Sequence, residues 1–200
     1  MRSKLFLIAA MLTALAVPAL AQAPQSKPFN LRGTIASLSG QALGVKQRDG
    51  AVVDVALAPH TAVRTLARKT LADIKPGDYV GVTSMHGKDG RLHAVEIHFL
   101  PAAAPQGQFP WDLRPGSIMT NAHVDGIARA KGGTTLTVAY KGGTSKIMVD
   151  RRTVIVGSVP GKMGDLEPGK AVFLRAIKTA DGKVMANNVT VEKNGIKPPM

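Results

Sequence analysis

One stretch of this chain occurs twice. Asp73 to Val80 reads DIKPGDYV and Asp165 to Val172 reads DLEPGKAV, 92 positions further on. The register extends past the turn, because Asp89, Gly90, Ala94 and Ile97 fall on Asp181, Gly182, Ala186 and Val189 at the same spacing. Upstream, Val55, Leu57, Thr61 and Val63 keep the spacing of 92, whereas Gly33, Leu43 and Val45 match Gly126, Leu136 and Val138 at 93. One residue is therefore lost in the loop near Ala51. An internal period of this length means that one supersecondary unit has been copied, and it constrains the architecture before any single residue is weighed.

Within each copy the apolar pattern has the period of a strand. Leu31, Gly33 and Ile35 alternate with Arg32, Thr34 and Ala36 until Ser39 and Gly40, as in a half-buried strand. Leu43, Val45 and Gln47 continue on a second strand that stops at Arg48, Asp49, Gly50, an Asp-Gly hairpin signal. Val53, Val55 and Leu57 form a third, with Pro59 as its expected end. Thr61 to Lys75 reads as a loop with at most one helical turn, since the matching TVIVGSVPGKMGDLE carries glycines and Pro160, which oppose a helix. Pro76 and Gly77 then suit a type II turn. Tyr79 to Ser84 and Leu92 to Phe99 complete the copy.

The second copy repeats this course over Ala122 to Ala130, Thr134 to Tyr140, Ser145 to Val149, Ala171 to Lys178 and Val184 to Val191. The expected fold is all-β: two tandem small five-stranded antiparallel barrels, OB-like or SH3-like, since closure removes edges that would otherwise aggregate.

The rest of the chain divides around the copies. Residues 1–21 read as a signal peptide, with Arg2 and Lys4, an apolar run from Leu5 to Val17 and the small residues Ala19 and Ala21 at the cut. Residues 22–30 are expected to be a flexible N-terminus, 31–100 the first barrel repeat, 101–116 a Pro-rich linker, 117–193 the second repeat and 194–200 a surface tail. No later apolar run reaches spanning length, so no transmembrane span is expected in the mature chain. The compartment expected is periplasmic or extracellular. No cysteine is present, so such a chain must be held by its cores, and repeats of about seventy residues are near the lower limit for one core. The copies are expected to pack on each other or on the linker.

The linker, PAAAPQGQFPWDLRP, has four prolines and the only Trp. Trp111 reads first as an anchor for this segment, with its indole N–H on a carbonyl, and second as part of a ligand contact beside Arg114. Trp111, Asp112 and Leu113, then Pro115, Gly116 and Ser117, then Met119, Thr120, Asn121 and Ala122 resemble a linker in a group of uncharacterised exported bacterial proteins. The repeats, with Leu-x-Pro-Gly-x-x-Val and Asp-Gly-x-x-x-Ala patterns, resemble a domain-of-unknown-function family of small β-barrel (OB-like) repeats. That resemblance implies a fold and a compartment and carries no established activity.

Chemistry is sparse. The five histidines His60, His86, His93, His98 and His123 form no HxxxH or HxH pair, and zinc sites want three or four converging ligands. His86 and His93 flank one hairpin and are the best candidate metal pair. There is no Gly-x-Ser-x-Gly elbow, and the glycine pairs lack phosphate-loop context. Carboxylates cluster at turns, where Asp is expected. Signal removal takes two of 26 basic residues and leaves 13 acidic ones, a mature charge of +11. Such a charge favours anionic polymers or lipid headgroups. Nucleic acid is disfavoured, since the mature chain has only seven aromatics and Tyr79 and Phe173 are assigned to core packing. The expectation is a non-enzymatic binding or scaffold module of the bacterial envelope, without cofactor, its partner an envelope ligand or protein. Its surface would gather Trp111, Arg114, Asn121 and His123; the alternatives are auxiliary metal binding and binding of anionic polymers.

Overall fold

A computed structural model describes residues 27–198; the expected signal peptide and most of the N-terminal segment lie outside them. Strands follow in chain order as β1 (Phe29–Ser39), β2 (Ala42–Lys46), β3 (Val52–Arg68), β4 (Tyr79–His86), β5 (Leu92–Phe99) and β6 (Gly107–Pro110). They continue as β7 (Ile118–Ala130), β8 (Gly133–Tyr140), β9 (Gly143–Val149), β10 (Val154–Pro160), β11 (Ala171–Lys178) and β12 (Val184–Val191). Two 3-10 turns, Leu71–Asp73 and Met163–Asp165, are the only helical pieces among the described residues. The all-β class holds. None of these helices is long and apolar enough to cross a membrane.

The pairing differs from the expected tandem arrangement. β1 is antiparallel to β2 and to β11, β2 to β3 and β11 to β12, and β12 returns parallel to β3, closing a five-stranded barrel. Three of its strands come from the first copy and two from the second. The converse set is a ring in which β4 joins β5 and β7, β7 joins β8 and β8 joins β9. It is completed where β9 runs parallel to β5 over Leu92↔Ile147 and His93↔Met148. The boundary between 31–100 and 117–193 is thus a boundary of sequence and not of folded unit. Each copy lends its last two strands to the other.

The interior faces explain why the exchange is stable. Leu31, Ile35, Leu43, Val45 and Val55 of the first copy meet Val172, Leu174, Val189 and Val191 of the second in one core. Val80, Val82 and Ile97 of the first meet Val124, Leu136, Val138 and Ile147 of the second in the other. Ile74 and Leu166, each following a 3-10 turn, are buried in the core opposite to their own leading strands. Each fully buried side chain of this size contributes about 1.5–3 kcal/mol, and neither copy can collect that contribution without the other.

The chain passes between rings twice, along the second half of β3 and along β10. These crossing strands pair antiparallel, Arg64↔Pro160 through Arg68↔Val156, with Leu66 opposite Ser158. Leu66 and Ser158 are themselves 92 apart, so a pseudo-twofold axis runs between them. It relates β3·β12 pairing, Ala62↔Asn188, to β10·β5 pairing, Val154↔Glu96.

Three readings of the repeat are corrected by this geometry. Pro59 does not end the third strand. Residues 58–61 form a wide irregularity between Leu57↔Ala186 and Ala62↔Asn188, where no ladder bond requires the N–H that proline lacks. Thr61 secures the irregularity, its Oγ1 donating to the Ala58 carbonyl at 2.8 Å. The expected loop from Thr61 is strand as far as Arg68. Likewise, Gly33 does not match Gly126. Leu31 faces Leu174 as Thr120 faces Val82, so β1 and β7 correspond at 89, and the extra residues sit in the β7–β8 hairpin.

The segments outside the copies are also better ordered than expected. Phe29 and Asn30 already belong to β1, opposite Ala176 and Arg175. The linker contributes β6, which pairs with β7 from Gly107↔Asn121 to Pro110↔Ile118. In the tail, Asn194 and Gly195 take φ of 52° and 73° in a two-residue turn that closes Lys193 against Ile196.

Candidate functional site

A cleft of about 830 Å3 opens between the rings, floored by the crossing strands and bordered by the linker. Gly157 and Ser158 on β10 and Arg64 on β3 belong to its lining, which places it beside the pseudo-twofold axis. Its cations are Arg64, Lys69, Lys75 and Arg175, against the carboxylates of Asp73 and Asp78. Both carboxylates already serve their turns. Asp73 accepts the Thr70 N–H at 2.7 Å and the Thr70 hydroxyl at 2.8 Å, and Asp78 accepts the Lys75 N–H at 2.8 Å. The Thr70 backbone bond, followed by its hydroxyl, holds the Asp73 carboxyl below the ordinary range.

Aromatic rings form another part of the lining. Arg32 on β1 lies between the linker and β11, its guanidinium 5.5 Å from the Trp111 ring and 4.9 Å from the Phe173 ring. Its Nη2 is 2.9 Å from Asp112 Oδ1, which also accepts from Asn30 at 3.0 Å. Burial opposes the charge on Asp112, but the hydrogen bonds from Arg32 and Asn30 outweigh it and keep its pKa lowered. Phe109 meets Trp111 edge to face at 6.1 Å, and the Trp111 N–H donates to the Ser117 carbonyl at 2.8 Å. Trp111 does anchor the linker. It does so by stacking and by its backbone, because its indole Nε1 is buried with no hydrogen-bond partner among the described residues.

Of the four residues expected to converge, Trp111 and Asn121 line this cleft. Arg114 lies instead beside a second depression with His86, His93, Asp89 and Asp150. His123 stacks on Tyr79, with ring centroids 4.7 Å apart, and Tyr79 donates its hydroxyl to the Ala104 carbonyl at 2.8 Å. Neither Tyr79 nor Phe173 belongs to either core, contrary to the packing role assigned from their strands. On both strands they occupy the outward face.

The candidate metal pair is drawn apart by its hairpin. His93 faces Met85 and His86 faces Leu92, so the two imidazoles leave opposite faces. His93 Nε2 sits 3.0 Å from Asp89 Oδ1, and His93 is the first cause of the lowered Asp89 pKa, ahead of the Arg91 N–H. His86 turns to the Gly90 carbonyl at 3.3 Å. No group of three or more His, Cys, Asp or Glu converges as a metal site among the described residues.

Sequence reasoning missed an ionisable pair beside the cleft, of which His98 belongs to the lining. Glu96 is fully buried and His98 nearly so, with His98 Nδ1 at 3.3 Å from Glu96 Oε1. Two residues apart on β5, they share the face opposite Ile97. A carboxylate and an imidazole alternating with core residues were the available signal; it was obscured because a strand buried on both faces leaves no solvent side on which to put them.

Fold and site together define a class: an all-β chain of exchanged strands that holds a cationic and aromatic cleft between two rings. No protein-family model, no curated protein and no solved structure matches the chain.

Proposed function

We propose that this protein is an exported, non-enzymatic binding module of the bacterial envelope, and that its ligand is anionic and enters the cleft between two strand-exchanged barrels. The observation that carries this reading is the unbalanced charge of the cleft. Arg64, Lys69, Lys75 and Arg175 outnumber the carboxylates Asp73 and Asp78 in its lining, and a concave site with an excess of one sign of charge concentrates ligands of the other. The apolar wall at Trp111 and Phe109 gives the ligand a surface to cover. The charge of +11 that remains after removal of the expected signal peptide supports the same preference.

Because Trp111 is the only Trp and lines the cleft, its fluorescence reports occupancy directly. Titration with a heparin-derived hexasaccharide should shift the emission, with affinity falling steeply as salt is added. Arg64→Ala together with Arg175→Ala should weaken binding by about tenfold, the effect of removing charge-assisted contacts. An emission that does not respond to any anion, or a response indifferent to salt and to both substitutions, contradicts the reading.

A further inference from the structure

The two walls of the cleft come from equivalent strands but carry different chemistry. Across β7, β4 and β5 the register sets Asn121, Gly81 and His98 side by side. Across β1, β11 and β12 it sets Arg32, Phe173 and Thr190 in the same three places. Where one wall carries a phenyl ring, the other has no side chain at all. The imidazole of His98 occupies that space: a Cβ on residue 81 would stand 2.5 Å from His98 Nε2 and 3.2 Å from Asn121 Oδ1. Glycine is the residue that lets this ring lie against the backbone of β4.

The polar atoms around that glycine are oriented from behind. The buried Glu96 carboxylate stands behind the ring, its Oε1 3.3 Å from His98 Nδ1, and Nε2 is the ring nitrogen beside Gly81; an imidazole nitrogen donates or accepts according to the tautomer. The Asn121 amide is fixed by its Nδ2, which donates to the Pro105 carbonyl at 2.9 Å. Its Oδ1 therefore remains an acceptor. Asn121 is 7% exposed, and this oxygen has no partner among the described residues. Buried polar groups left in this condition favour a ligand that satisfies them. A ring nitrogen and an unpaired acceptor flanking one point match a hydroxyl group, which donates to Asn121 Oδ1 and, through its lone pairs, meets the ring nitrogen in the tautomer that carries the Nε2 proton. A phosphate oxygen only accepts and leaves Asn121 unpaired.

We infer that the anionic ligand is an acidic saccharide. One sugar hydroxyl lies between His98 Nε2 and Asn121 Oδ1, the sugar face rests on the Trp111 wall, and its carboxylate reaches Arg64 or Arg175. This rests on the anionic-cleft reading and adds the chemical class of the ligand.

The test uses the full chain and two anions, trigalacturonate and tripolyphosphate, each followed by Trp111 emission. Trigalacturonate should bind, and Asn121→Ala should weaken it by about tenfold, as expected for a lost hydrogen bond at a buried group, while tripolyphosphate is unchanged. His98→Gln, which keeps a partner for Glu96, should act in the same way. If either variant fails to fold, trigalacturonate with its hydroxyls methylated, offered to the unaltered chain, should bind at least about tenfold more weakly. Binding of tripolyphosphate without trigalacturonate overturns the saccharide assignment and leaves the anionic cleft standing, as does equal loss for both ligands in the variants. Failure of both ligands on the unaltered chain overturns both readings.

Discussion

Asp73 and Asp165 do the same thing in their two turns. Asp165 accepts the Lys162 N–H at 2.8 Å as Asp73 accepts that of Thr70, and it also takes the Lys193 ammonium at 2.8 Å. The Lys193 contact leads the causes of its lowered pKa, and the Lys162 N–H follows. Asp165→Ala should lower Tm by a few degrees, with loss of both contacts. The pH dependence has a definite sign. Asp73, Asp89, Asp112, Asp150 and Asp165 are lowered on folding, and Asp181 is brought to about 2 by Lys183 and then Thr179. Their stabilisation is complete above the unfolded carboxylate value of about 3.9 and is lost as pH falls through the folded values. Thermal melts should therefore be flat from about pH 7 to about 5 and decline below about pH 4. Gly81→Ala, by contrast, forces the His98 ring off β4 and should cost about 1–3 kcal/mol by overpacking, read as a lower denaturation midpoint with emission of Trp111 retained.

The strands were the legible elements. Period-2 alternation located Leu92–Phe99, Ala171–Lys178 and Val184–Val191 with their observed limits, because core residues alternate there. The Pro-Gly turns were legible as well, with Gly77 and Gly169 at φ of 91° and 87°, where a Cβ is disfavoured. The length of β3 was not legible. A proline ordinarily ends a strand, and only the two-sided irregularity around residues 58–61, a property of the partner β12, makes Pro59 harmless. The linker was partly legible: its Trp read as an anchor, but Arg32 and Phe173 lie about eighty and sixty residues from it in opposite directions, and nothing local joins them. Arg32→Ala removes the stack and the Asp112 pair together. It should expose the segment from Pro101 to Gln106 to limited proteolysis, cut faster than in the unaltered chain, while Arg32→Lys restores the charge but not the planar stack and should protect only in part.

At the scale of the molecule, the duplication that made the copies recognisable also concealed how they are joined. Because β4 and β11 carry equivalent patterns, β1 can pair with either at similar local advantage, and a sequence alone does not separate the tandem closure from the exchanged one. The exchange makes the two cores interdependent. Leu43→Ala in the first core and Ile97→Ala in the second, both side chains fully buried, should each cost about 2–5 kcal/mol. Each should shift a single cooperative transition, not split it in two, as calorimetry would record.

The exchange also decides whether the cleft exists, since its two walls are brought together by the crossing strands. Asn30 lies opposite Arg175 on β11, whereas closure of each copy on itself would put Asn30 opposite Thr83, the equivalent residue of β4. The chain has no cysteine, so introduced pairs report without background, and opposed positions of a ladder approach the separation a disulfide bridges. Mild oxidation should link Asn30→Cys to Arg175→Cys in the monomer and leave Asn30→Cys with Thr83→Cys unlinked. The reverse pattern would show that each repeat closes its own barrel, and would contradict both the exchanged fold and the site built on it.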